Sequence, residues 1–196
     1  MKKYKNYFIF LFGTLLFAFG ISLGNRSLFG GNSMSILVVG ISKHLPLTIG
    51  TCNLIVSLIE VLFGYILDKK NVTWVTLVST FIASYLIDFA NIFVIETNNI
   101  VIRIIYMLVG MILYCLGLGI EQYANIGYES FDVFIFGFKK AFKVDKYHVI
   151  KWFVDGAFIA IGFILGAEVG IGTLLLLIFA GLLIEKSKEL SKRIFK

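Results

Sequence analysis

The chain has 196 residues, of which 59% are hydrophobic and only 15% charged, and it contains a single proline, Pro46. A domain of this size needs more polar side chains to make a water-facing shell, so a soluble globular fold is excluded. The formal net charge of +6 does not point to nucleic acid, because the basic residues gather at the ends of apolar stretches, where lipid and membrane orientation account for them.

The first residues, MKKYK, lead into an apolar run that continues through Ile21 without a small-residue cleavage site, so it reads as a retained first span rather than a leader. Further spans are expected over 48–67, 72–95, 101–120, 149–166 and 170–185, with the first drawn at 6–24. Each carries enough apolar length for a hydrocarbon core of ~30 Å, the last two with little margin. Two other apolar segments, 30–45 and 127–142, are too short to cross as helices and are expected to be re-entrant or interfacial half-helices.

The chain repeats itself at a spacing of about 97 residues. Residues 11–20 align with 108–117, placing Gly13 over Gly110 and Gly20 over Gly117. Residues 35–43 align with 132–140, and 81–88 with 178–185, placing Asp88 over Glu185. With the N-terminus inside, fifteen basic residues fall on the cytoplasmic side and only Arg26, Lys43 and Arg103 on the other. Three spans per copy is an odd number, so the second copy enters the membrane from the opposite side. The expected fold is therefore all-α, a polytopic membrane protein of six transmembrane helices. It forms one membrane domain (1–196) built from two inverted three-helix repeats, 1–97 and 98–196, each with a half-helix. If both short segments crossed fully, the copies would run parallel instead.

Residues that suit a site are polar groups inside apolar surroundings. Asn32, Ser33 and Ser35 precede the first half-helix, and Glu129, Ser130 and Asp132 hold the matching places in the second. A helix N-terminus inside a membrane attracts an anion, whereas the acidic set suits a cation, a proton or an amine. Ordinary helix capping also explains these residue types. Glu60 and Asp155 lie inside spans at ~10 Å from the cytoplasmic boundary, where a carboxyl must be protonated, paired or facing a wet cavity. Lys151 stands one turn before Asp155 and can pair with it, while Glu60 has no partner in its own helix. Asp88 lies near the outer end of the third span and Glu185 near the inner end of the sixth, either as contacts or as boundary anchors. Gly162, Gly166 and Gly170 suit close helix packing and the turn between the last two spans.

Cys52 and Cys115 fall at different depths, and no cysteine–histidine spacing suggests a metal. His44 and His148 flank spans at opposite faces. No nucleophile elbow, P-loop, HExxH or dinucleotide fingerprint occurs, so no enzyme activity, cofactor or metal is expected.

The glycine-rich stretch before the first short segment, LTIGT (47–51), Asp88 in YLID, SFDVFIFG (130–137) and HVIKWFVDGAFIAIGFILGAEVGIGT (148–173) together resemble the YczE/YyaS/YitT family of bacterial integral membrane proteins. Lys151 and Asp155 stand where that family more often has arginine and glutamate, and Ser35 replaces a frequent acidic residue. The resemblance implies a protein of the bacterial cytoplasmic membrane, and the charge bias puts both termini on the cytoplasmic side. The expected function is small-solute transport by alternating access. The alternatives are a substrate-binding membrane subunit of a multicomponent importer and a non-transporting accessory membrane protein. The expected partners are the lipid bilayer and an unidentified small molecule or ion, with a second copy or another membrane protein left open, and no nucleic acid.

Overall fold

The computed structural model describes residues 2–195, which form eight α-helices and one short 3-10 turn. The helices are α1 (Lys2–Ser27), α2 (Ser33–Ser42), α3 (Ile49–Leu67), α4 (Trp74–Phe93), α5 (Ile100–Ala124), α6 (Ser130–Ala141), α7 (Tyr147–Ile164) and α8 (Ile171–Ile194). Five of them, α1, α3, α4, α5 and α7, are long and apolar enough to cross a membrane. Large apolar side chains such as Ile66, Ile92, Phe153 and Ile164 point outward. That surface needs lipid around it, so the protein is membrane-embedded.

The sixth expected span behaves differently. α8 is one continuous helix, but it is apolar only over 171–184, about 21 Å at 1.5 Å per residue. Glu185, Lys186 and Lys188 follow, so α8 does not join the five.

Helix ends are set by identifiable side chains. Asn32, Thr48 and Asn99 each accept from backbone amides in the first turn of α2, α3 and α5, and Thr73 with Thr76 forms a capping box on α4. Asp88 reinforces the start of α3 by accepting from the Gly50 amide at 2.8 Å and the Thr48 hydroxyl at 2.6 Å. α1 gives way to a left-handed residue, Leu28 (φ 60°), and α5 ends on another, Asn125 (φ 49°). These two positions are 97 residues apart, the spacing of the sequence repeat.

α2 and α6 span only about 15 and 18 Å, half the hydrocarbon core. α6 runs beside α3 and parallel to it. Ser130 faces Glu60, Val133 and Gly137 pack on Gly64, and Lys140 meets Asp68 at 2.9 Å. Lys140 holds the Asp68 carboxyl below the ordinary carboxylate range. α2 runs beside α7 in the same manner. Ser33 reaches Asp155, Ile36 and Gly40 pack on Gly162, and Lys43 meets the Gly166 carbonyl at 2.6 Å and Glu168 at 2.9 Å. Both half-helices therefore aim their N-termini at the middle of the bundle, from opposite ends. The expected segments 30–45 and 127–142 are helices of half length.

The most extensive packing joins α1 and α5, which cross antiparallel. A Cβ on Gly117 would lie 2.6 Å from the Gly13 carbonyl oxygen, and one on Gly110 would lie 3.0 Å from the Gly20 carbonyl. No side chain fits between these backbones. α4 lies parallel to α1, joined by a 2.6 Å bond from Ser22 to Asn91, and α8 lies parallel to α5, joined by a 3.1 Å bond from Ser187 to the Leu116 carbonyl. Gly162, expected in close packing, provides it against α2, while Gly166 (φ 85°) makes the turn after α7.

Replacing Gly117 by alanine should separate α1 from α5 and cost about 1–3 kcal/mol, read as a lower melting temperature in detergent. Gly156→Ala is the control, since a Cβ there meets nothing within 4 Å. Equal melting temperatures for the two variants would show that the crossing is not tight.

Candidate functional site

α3 and α4 pack closely along their length, whereas α7 and α8 scarcely touch. A cavity of about 1080 Å³ occupies the space between them. Its walls come from α7, α8 and the middle of α5, and its floor from the N-termini of α2 and α6. It opens toward the lysine-rich end, past His148, Glu185, Lys188 and Lys192.

On the α2 side, Asp155 is 2% exposed and takes two bonds of 2.5 Å, from the Ser33 hydroxyl and the Lys151 ammonium. The Lys151–Asp155 pair expected at one-turn spacing is therefore formed, with Ser33 as a third member. Lys151 also lies 5.5 Å from the centre of the Phe131 ring. Asn32 spends its side-chain oxygen on the α2 amide of Ser35, and the Ser35 hydroxyl donates to Asn25 at 2.5 Å. The α2 N-terminus is thus capped from within.

The α6 side carries more acid. Glu129 occupies the cap position of α6 without bonding its amides, and it faces Glu121 of α5 within hydrogen-bond reach. Asp132, one turn into α6, accepts a 2.5 Å bond from Tyr147 of α7. Glu129 and Asp132 line the cavity, as do Asn32, Ser33, Ser35, Lys151 and Asp155. Among the described residues no group of three or more His, Cys, Asp or Glu is arranged to hold a metal ion. Cys52 and Cys115 are buried free thiols.

Three expected site residues lie elsewhere. Glu60 is 1% exposed and faces Ser130 behind the α6 N-terminus, without reaching the cavity. Ser130 stands close enough to interact, yet neither Glu60 oxygen makes a hydrogen bond of normal geometry. Asp88 caps α3 on the far side of the bundle.

Sequence reading missed Glu121, Tyr147 and Thr173. A span boundary drawn at residue 120 left Glu121 outside the apolar segment, whereas α5 continues to Ala124 and buries that carboxyl to 4% exposure. Thr173, 1% exposed, stands at the cavity wall with its hydroxyl packed against Gly30. Its signal was available: a lone hydroxyl ahead of the apolar run TLLLLIF.

No solved structure matches this chain. Over 200 residues it is 28% identical to "Uncharacterized protein YyaS" of Bacillus subtilis (strain 168), an alignment covering 98% of this chain and 96% of that protein. Residues 4–189 match the model of a family of unknown function, DUF6198. The chain therefore belongs to the DUF6198 family and is a YyaS-like membrane protein.

Proposed function

We propose that the protein is a small-solute transporter that works by alternating access between two inverted repeats. The observation that carries this reading is the cavity on which the N-termini of two half-length helices converge from opposite ends. Irregular backbone at that depth is tolerated only against protein or water, and carriers commonly place their sites at such breaks.

The packing supports the inversion. A shift of 97 residues carries the contact of Gly13 with Gly117 onto that of Gly110 with Gly20. The same shift carries Ile36 onto Val133 and Gly40 onto Gly137, and their partners Gly162 and Gly64 lie 98 residues apart, one residue out of that register. An antiparallel pair of equivalent helices requires a two-fold axis perpendicular to them, which in a membrane lies in its plane. α8 then serves as the sixth span, and the lysine-rich end faces the cytoplasm. In this orientation the cavity is open inward. An accessory or scaffold protein has no use for a mid-membrane cavity, and its buried acids would be fully paired, unlike Glu60. No step of covalent chemistry is assigned to the site.

Glu121 and Glu129 offer a place for a coupling proton, because two carboxyls in contact inside a membrane can keep only one charge between them. Glu60, behind the same helix terminus, extends that acidic group.

Access can be measured without knowing the cargo. In a background with Cys52 and Cys115 replaced by serine, Asn32→Cys should react with a membrane-impermeant maleimide from the cytoplasmic side, and in a fraction of molecules from the other side. Labelling from the cytoplasmic side alone, under every solute and pH tried, is the outcome that sinks transport and fits a binding subunit. In proteoliposomes, Glu60→Gln should lower proton-driven solute flux by about tenfold or more, the usual scale for losing a proton-handling group. Asp88→Ala should instead cost about 1 kcal/mol of stability through the lost cap, with flux per folded molecule unchanged.

A further inference from the structure

We infer that the cavity takes a protonated organic amine with an apolar body, held by Glu129 and Asp132. This assignment rests on reading the cavity as a solute site and gives the chemical class of its occupant.

The charge inside the cavity is unequal. Among the described lining residues, Lys188 and Lys192 stand at the mouth, and Lys151 pairs with Asp155 at 2.5 Å while its charge also reaches Asp132. Glu129 and Asp132 remain, and among the described residues no basic side chain is bonded to either. An anion would meet both carboxyls at the one half-helix terminus left without a side-chain cap. The other terminus already spends its capacity on Asn32. A cation meets neither obstacle, and removing two carboxylates from water without one is expensive.

The walls suit an apolar body. Phe17, Tyr114, Phe131 and Trp152 present ring surface, and ring faces attract cations as well as apolar groups. Lys151 already shows such a contact with Phe131. The volume of about 1080 Å³ accommodates a solute of drug size.

An ammonium group supplies three donors, enough to serve both carboxylates.

Dansylcadaverine, a primary amine on an apolar fluorophore, is the probe, and the dansyl amide of aminocaproic acid is its anionic counterpart of similar shape. On purified full-length protein in detergent, the amine should bind saturably with a rise in fluorescence, and the acid should not bind. Glu129→Gln and Asp132→Asn should each weaken the amine by about tenfold, the scale of a charge-assisted hydrogen bond. Melting temperatures identify variants that misfold. Gly181→Phe keeps every carboxyl and projects a ring into the cavity, since a Cβ there meets nothing within 4 Å, and it too should abolish binding.

Preference for the acid, saturable binding of neither probe, or amine affinity unchanged in both carboxyl variants would each overturn the assignment. An amine that binds but never crosses a proteoliposome membrane overturns transport and leaves the assignment standing. Two-sided labelling of Asn32→Cys in a protein that ignores the amine does the reverse.

Discussion

Two helices that stop half-way through the bundle impose the terms on everything around them. A helix end at that depth leaves backbone amides with no lipid partner, so protein must be built up to it. α3 supports α6 and α7 supports α2, each through a glycine that lets the backbones approach, Gly64 on Val133 and Gly162 on Ile36. Were either glycine larger, the short helix would be pushed out of the bundle and its terminus exposed to hydrocarbon. The α1–α5 crossing serves the same end, because its paired glycines bring the two halves close enough for both termini to meet one space.

The two termini are finished differently, and the site follows from the difference. At α2 the capping is internal and the nearest acid, Asp155, has its own lysine. At α6 the acids crowd together, with Glu60 behind, Glu121 beside and Asp132 one turn on. A helix N-terminus favours negative charge near it, which lowers the cost of placing carboxyls there. The two termini thus share a backbone plan and differ in the charge placed around them.

Much of this architecture was legible in apolar length alone. Segments 30–45 and 127–142 are too short to cross, and that arithmetic led directly to half-helices α2 and α6. The one-turn spacing of Lys151 and Asp155 gave their pair for a similar local reason. Long-range partners were beyond such reading. Ser33 bonds to a residue 122 positions away, and Tyr147 reaches back to Asp132. Nothing local to Glu60 shows that Ser130 stands before it, and nothing local to Asp88 shows that it caps a helix nearly 40 residues earlier. Glu121 was lost to a boundary placed a residue too soon, since an acid reads as the end of an apolar run even when the helix carries on. α8 is the converse: its helix is longer than its apolar part.

The closed seam between α3 and α4 now takes on a second meaning. It is tightly packed where α7 and α8 leave a cavity, yet it is not dry. Asn53 donates to Ser84 across it at 3.0 Å, and Thr80 and Ser84 bond back to their own helix carbonyls. A seam made only to stay shut is better served by leucine and alanine. Hydroxyls satisfied on their own backbone can be wetted without leaving a donor stranded, so parting the middle of these helices breaks the Asn53–Ser84 bond and exposes a surface already fit for water, while Asp88 ties their outer ends through Thr48 and Gly50.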